Sequence, residues 1–391
     1  MTSLTPAVST DDLGFFFEGR HAKLATQASE FAADFTDDHV DAETATVDAV
    51  RRLSEIGLTA YCVPESHGGA AVGTPDFLDC RALTLIRESL GWSSALLDTA
   101  FAMQGLGSYP ISLAGTEQQK RAYLPGILCG ERLGAFALTE PHAGSDVAAM
   151  RCHAVRCEGG YRLNGEKTYI SNAGIAGQYV VFAKTDMDAG RRGISAFIVD
   201  ADTPGLSIEP FEVIAPHPIG TLKFKDCLIS QDQRLGDEGR GFKLAMQTLD
   251  VFRTTVGGAA LGLSRRALDE ALKRAEQRVQ FGKPIIEQQQ IAAYLADMKT
   301  EFDASRLLVY RAAYLKDTTD VRVSQEVAMG KLFATEAAQR IIDKSVQIFG
   351  GAGVRVGSVV ERLYREIRAL RIYEGTSEIQ RVVIAAGLRR S

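Results

Sequence analysis

The chain is short of several things, and each shortage closes off a class of protein. Proline nearly disappears after Pro218: of eleven prolines only Pro284 follows. Because proline lacks an N–H and clashes with the preceding turn inside a helix, the last stretch of roughly 170 residues is free to form long helices. The six cysteines (Cys62, Cys80, Cys129, Cys152, Cys157 and Cys227) include no CxxC pair. That argues against a disulfide scaffold or a thiolate metal site and fits a reducing cytoplasm. No apolar run reaches the roughly 20 residues that span a bilayer, so no membrane insertion is expected. The start, with Asp11, Asp12 and Glu18, lacks the basic opening of a signal peptide. Neither charge sign is gathered into a long block, and 44 Lys+Arg against 49 Asp+Glu leave a net charge of -5. Nucleic acid is therefore not an expected partner. There is no internal repeat and no low-complexity linker.

What remains is an ordinary folded chain of 391 residues, 46% hydrophobic and 24% charged, large enough for two or three domains. Residues 14–36 and 41–56 carry helical periodicity, and Leu83 to Ala102 and Gln118 to Leu128 continue it. In the middle, Tyr161 and Leu163 alternate before an expected Asn164-Gly165 turn, and short apolar runs follow at Tyr179 to Ala183, Ile194 to Val199, Leu206 to Ile208 and Thr221 to Phe224. These predict a compact antiparallel β domain. Beyond it Leu261, Leu268, Leu272 and Ala275 repeat at helical spacing, as do Ile291, Leu295, Met298 and Phe302 after the break at Phe281-Gly282-Lys283-Pro284. Further helical patterns run through Met329 to Ile348 and Val359 to Ile367, predicting four helices packed as a bundle. The fold class is α+β multidomain: a helical domain over 1–130, an antiparallel β-barrel over 131–240 and a four-helix bundle over 241–391.

Three segments carry unusual chemistry. Ala135 to Asp146 (AFALTEPHAGSD) leaves a strand into a loop of small residues that offers backbone N–H groups and the hydroxyls of Thr139 and Ser145, a setting for an anion or a polar ring edge, or a plain strand-end turn. Lys167 to Gly174 (KTYISNAG) puts Tyr169 and Ser171 on one face of a strand, where an aromatic beside a hydroxyl suits a flat heterocycle or simply closes the sheet. Ile372 to Arg381 (IYEGTSEIQR) sets Glu374 at a bend, where a carboxylate can serve as a general base. Thr376 or Ser377 can cap the helix that follows or receive a phosphate there.

Taken with Val63 to Gly69 (VPESHGG), Arg278 to Pro284 (RVQFGKP) and Gln347 to Gly351 (QIFGG), these segments stand in an order and spacing that resembles the acyl-CoA dehydrogenase family over essentially the whole chain. The resemblance implies a helical N-terminal domain, a β-barrel and a four-helix bundle, with one FAD per subunit in a homotetramer built as a dimer of dimers. It implies cofactor contacts from Phe136, Leu138, Thr139, Gly144 and Ser145 and from Tyr169, Ile170 and Ser171. Many relatives carry tryptophan where Tyr169 stands. It further implies contacts to a neighbouring subunit's FAD from Arg278, Gln280, Phe281, Gln288, Gln289, Gln347, Ile348, Gly350 and Gly351, and others from Thr376, Ser377 and Glu378.

Glu374 matches the base of the short- and medium-chain members. It would take the α-proton of an acyl thioester while the β-hydrogen leaves as hydride, giving the 2-enoyl product, with its own N–H binding the carbonyl oxygen. Another branch places its base just before the arginine of Asp250 to Arg253, where this chain has Phe252. Asp250, Arg253, Ser145 and Gly375 match substrate contacts. No metal is implied. The expected substrate is a short, branched or medium acyl-CoA and the expected electron acceptor an electron-transfer flavoprotein. An alternative is a dehydrogenase or oxidase for a carrier-protein-bound acyl thioester. Leu97, Phe101, Met103 and Tyr109 lie in the segment that lines the acyl pocket in relatives. The lack of arginine between Gly91 and Lys120 disfavours a dicarboxylic substrate.

Overall fold

The computed structural model describes residue 4 and residues 8–35 and 41–389; Thr36, where the first expected helix ends, lies outside them. Ten α-helices follow in chain order among the described residues: α1 (Gly19–Asp34), α2 (Ala42–Glu55), α3 (Cys80–Ser93), α4 (Ala95–Ala114), α5 (Glu117–Leu128), α6 (Gly241–Gln277), α7 (Gln289–Thr318), α8 (Ser324–Phe349), α9 (Val359–Leu370) and α10 (Ser377–Leu388). The strands are β1 (Gly134–Ala137), β2 (His153–Cys157), β3 (Gly160–Ser171), β4 (Gln178–Lys184), β5 (Ile194–Asp200), β6 (Leu206–Pro210), β7 (Ile219–Ser230) and β8 (Arg234–Leu235), with a small pair β9 (Val279–Gln280) and β10 (Lys283–Pro284) between α6 and α7. No helix among the described residues is long and apolar enough to cross a membrane.

Two compact units result, and neither is one stretch of sequence. One gathers Met1–Thr36, Cys80–Asp98 and Val251–Ser391, the other Asp37–Asp79 and Thr99–Asp250. In the first, α1 and α3 join the C-terminal helices around a core that includes Leu85, Leu261, Phe302, Ile341 and Ile367. Glycine lets α6 lie against α3 at backbone distance: a Cβ on Gly258 would sit 2.4 Å from the Thr84 carbonyl oxygen, and one on Gly262 2.2 Å from that of Glu88. This approach places Arg87 of α3 beside Thr255 of α6, their side chains hydrogen bonded at 2.9 Å. Where one helix is expected over Leu83 to Ala102 there are two, because the Ser94 hydroxyl accepts from the N–H groups of Leu96 and Leu97 and so caps α4. Among the described residues after 240 there are five α-helices, the expected four and α10.

The second unit is built on a sheet ordered β6-β7-β3-β2-β4-β5-β8, with β4 buried along its whole length. It departs from the antiparallel expectation twice: β2 meets β4 in parallel at His153 and Lys184, and β1 runs parallel to β4 with Gly134 opposite Gln178. The roughly 40 residues between them, holding β2 and β3, give the crossover that a parallel neighbour requires. The expected Asn164-Gly165 turn is not a turn. The hairpin closes instead at Glu158-Gly159, with Cys157 opposite Gly160, and β3 runs on through Gly165 with an irregular register. Gly165 is there for space, since it has φ +130 and a Cβ would meet the Cys152 Cα at 2.7 Å.

Candidate active site

Glu374 lies between α9 and α10 with φ +54, a left-handed conformation uncommon for a residue with a Cβ, and Gly375 follows at φ +96. Two cations, one buried and one half-buried, hold this turn by its carbonyl oxygens. Lys331, on α8 and 1% exposed, donates to the Tyr373 oxygen and, at 2.6 Å, to that of Gly375. Arg253, on α6, donates its Nε–H to the Glu374 oxygen at 2.7 Å, and Gln380 of α10 adds a bond to Gly375 at 2.8 Å. The Glu374 Oε2 atom is buried and has no hydrogen-bond partner, nor does the Glu374 N–H bond to any backbone oxygen among the described residues. Burial pushes the Glu374 carboxyl up, against the opposing pull of Arg87, Lys331 and Arg253. Burial draws the Lys331 ammonium down to about 7, with Glu374 opposing and Arg253 and Arg87 adding to the fall. Arg87 is neutralised by Asp98 through two parallel bonds of 2.7 Å.

In the second unit the two motif loops are knitted together. The Thr168 N–H donates to the Thr139 oxygen at 3.0 Å, and Lys167, fully buried, donates to the Leu138 oxygen at 3.0 Å and to Glu140 Oε1 at 2.8 Å. Glu140 also accepts from the N–H groups of Arg151 and Cys152. On this base the Thr139 and Ser145 hydroxyls make no hydrogen bond among the described residues, and Gly144 opens onto free space. Tyr169, at φ +56 and 64% exposed, stands edge-on to Phe211 with ring centres 5.4 Å apart. Its exposure comes from a register shift between Lys167 and Ile170, which leaves Ile170 buried and Ser171 half-buried. The Ser171 hydroxyl lies 3.1 Å from His217 Nε2, and His217 Nδ1 lies 2.9 Å from the Ala215 oxygen. With the Ala215 carbonyl taking the Nδ1 proton, and burial holding the imidazole neutral, Ser171 donates to His217 and keeps its oxygen free as an acceptor. An exposed ring, free hydroxyls and an open glycine fit a flat heteroaromatic ligand with a polar edge.

The outer predicted residues are placed differently. Arg278, Gln280, Phe281 and Gln289 are exposed and Gln288 half-buried around the β9–β10 turn, whose tip Phe281 is 94% exposed at φ +52. Gln347, Gly350 and Gly351 are exposed at the end of α8. Ile348 and Leu138 are 5% and 6% exposed, so their side chains serve the core and leave only backbone for a ligand. Phe136 is half-buried against Phe182. The Thr376 hydroxyl caps α10 through the Ile379 N–H, Ser377 donates to Glu336 at 2.5 Å, and Glu378 is exposed.

The sequence of residues 19–131, 135–227 and 239–389 matches the N-terminal, middle and C-terminal domain models of acyl-CoA dehydrogenase. The chain belongs to the acyl-CoA dehydrogenase family. It is 42% identical to the human mitochondrial short-chain specific acyl-CoA dehydrogenase, over 88% of this chain and 82% of that one. It is 40% identical to the caffeyl-CoA reductase-Etf complex subunit CarC of Acetobacterium woodii, over 86% and 88%. The fold is similar to that of butyryl-CoA dehydrogenase from Megasphaera elsdenii, with a TM-score of 0.88 and 34% identity over 96% of this chain and 99% of the other. It is thus an oxidoreductase acting on CH–CH groups, in a flavoprotein family. Sequence reasoning on this acyl-CoA dehydrogenase missed Lys331, Arg87 and Asp98. Lys331 has a signal: it is the one charge among the buried α8 residues Val327, Ala328, Gly330, Ala334, Thr335 and Ala338.

Proposed function

We propose that the chain is an FAD-dependent dehydrogenase of a short, branched or medium acyl-CoA, with Glu374 as the α-proton base. The observation that carries this reading is the Glu374 carboxyl, with one oxygen buried and unpartnered in a strained turn that two cations secure. Such an oxygen keeps a lone pair for a substrate proton, and burial makes it a stronger acceptor than an exposed carboxylate. The unpaired Glu374 N–H is the donor for the thioester carbonyl, stabilising the charge that builds on its oxygen as the α-proton leaves. Asp250, Arg253 and Gly375 serve as further substrate contacts, Arg253 with its Nε committed to the turn. Ser145 supplies another.

FAD, when bound, supplies the acceptor for the β-hydrogen as hydride. Phe136, the Leu138 backbone, Thr139, Gly144, Ser145 and Tyr169 to Ser171 would hold it, with Thr376 to Glu378. In a homotetramer, Arg278, Gln280, Phe281, Gln288, Gln289, Gln347, the Ile348 backbone, Gly350 and Gly351 would reach a neighbour's cofactor. The bare Phe281 ring supports such an assembly, because a phenyl ring so exposed leaves its apolar area in water. An electron-transfer flavoprotein as acceptor is supported by the relative named as part of an Etf complex. A cytoplasmic location is supported by six free cysteines. Short acyl groups are supported by the short-chain and butyryl-CoA relatives and by the bulk of Leu97, Phe101, Met103 and Tyr109, all buried on α4. Arg87 offers no seat for a second carboxylate, since Asp98 already neutralises it.

The test is an anaerobic titration of the FAD-loaded protein with butyryl-CoA, branched and medium acyl-CoA esters, and the matching carrier-protein esters, followed by flavin absorbance. Bleaching by one of the CoA esters is the expected result. Bleaching by carrier-bound esters alone would replace the CoA reading with the carrier reading.

A further inference from the structure

We propose that Lys331 is a positioning residue for the Glu374 base: seated on α8 beneath the 373–375 turn, it ties the Tyr373 and Gly375 carbonyls and so locks Glu374 in its left-handed conformation. This deepens the dehydrogenase reading and rests on it for the role of Glu374. The geometry is specific. Lys331 makes no ion pair within 4 Å among the described residues; its donors go to two carbonyls flanking the base. With Arg253 on the carbonyl between them, three successive peptide oxygens are fixed by two cations from two different helices. A left-handed residue with a Cβ is strained and persists only where its surroundings over-determine it. Here those bonds do so.

The placement is also costly enough to need a reason. A lysine on a buried helix face gives up the hydration of its ammonium, and methionine would fill a similar volume without that penalty. What lysine supplies and methionine cannot is a pair of strong donors to the turn and a positive charge near the carboxylate. The charged groups around it are Glu374, Arg253 and Arg87, with Asp98 and the Tyr373 phenol beyond them next to the base. The Glu374 carboxylate is the group whose ionised form the Lys331 charge favours.

Two variants of the FAD-loaded enzyme test this, Lys331→Met and Lys331→Gln. Hydrogen exchange of the peptides covering 372–380 is read first, because it needs no turnover. In Lys331→Met it is expected to quicken about tenfold there and not across α6 or α7. Flavin reduction at saturating butyryl-CoA is expected to slow roughly 100-fold with KM within about threefold, as for a misplaced base. The acid limb of the rate profile is expected to move up by about one pH unit, because the carboxylate has lost a neighbouring cation. Lys331→Gln keeps an N–H donor without the charge, so it should restore part of the rate but not the pH limb. Folded Lys331→Met with unchanged exchange at 372–380, or with a loss confined to KM, overturns the proposal. If no acyl thioester bleaches the wild-type flavin, the dehydrogenase reading fails, and the exchange data still decide whether Lys331 holds the turn.

Discussion

Lys167 and Lys331 both lie in the interior of this protein near a glutamate, and they are used in opposite ways. In the sheet unit, Lys167 pairs directly with Glu140, whose oxygens are further bound by the N–H groups of Arg151 and Cys152. Every group in that cluster is satisfied, and the cluster fixes where the loop of Thr139 to Ser145 leaves the sheet. In the helical unit, Lys331 bonds only to carbonyls, and a Glu374 oxygen is left buried and unpartnered. Burying a charge is tolerated at the first place because the partners are complete. At the second it is incomplete, and the incompleteness is what a proton-accepting group needs. A closed buried pair makes scaffold; an open one makes chemistry.

The comparison breaks most sharply at Glu374. Glu374→Gln keeps the shape of the turn and removes the proton acceptor, so flavin reduction by butyryl-CoA should slow by roughly 10³-fold, with FAD retained and the thermal midpoint nearly unchanged. Stopped-flow absorbance measures it. In the wild-type enzyme the same rate should fall as pH is lowered through the Glu374 pKa, because only the ionised form accepts a proton. Since burial raises that pKa, the fall should begin at a higher pH than for an exposed glutamate. A Gln variant that still bleaches at the wild-type rate sinks the assignment of the base.

At Lys167 the expected loss is stability. Lys167→Met leaves the Glu140 carboxylate buried without its cation, at a cost of about 3–5 kcal/mol in urea unfolding. Removing both charges should recover most of it only if an acceptor stays for the Arg151 and Cys152 N–H groups. Lys167→Met with Glu140→Gln keeps one amide oxygen for one of those two N–H groups and should recover part of the loss; Lys167→Met with Glu140→Met keeps none and should remain more destabilised. Equal stabilities for the two double variants would show that the backbone bonds to Glu140 contribute nothing.

The order of elements was legible from periodicity and from where proline stops, because both report on local backbone preference. The site segments were legible because Thr139, Tyr169 and Glu374 sit in short, chemically odd runs. What escaped depends on contacts far apart in sequence. Gly165 reads locally as a hairpin glycine after Asn164, and only the approach of Cys152 shows that it is a bulge. The ion pair of Arg87 with Asp98 joins two helices across a cap at Ser94 that helical periodicity runs straight through. Lys331 belongs to the turn 42 residues later, and no spacing rule links the two. The left-handed conformations of Tyr169, Phe281 and Glu374 are equally invisible in sequence, yet all three fall at residues singled out for chemistry, as strained backbone tends to do.

The smallest expected effect separates the two roles open to Thr376. Its hydroxyl caps α10 by accepting from the Ile379 N–H at 3.3 Å, next to the turn that Lys331 and Arg253 hold. As a cap alone, Thr376→Ala should cost about 1 kcal/mol of stability and Thr376→Ser almost nothing, with FAD affinity unchanged in both. If the hydroxyl also binds the cofactor, Thr376→Ala should weaken FAD retention in a fluorescence titration by more than the stability loss explains, while Thr376→Ser holds it. The cap engages one lone pair and the hydroxyl proton goes to the exposed Glu378 carboxylate, so a cofactor contact would redirect that proton without undoing the cap. The alanine variant therefore reads whether the helix start beside the base is scaffold only, like the Lys167 cluster, or part of the open chemistry around Glu374.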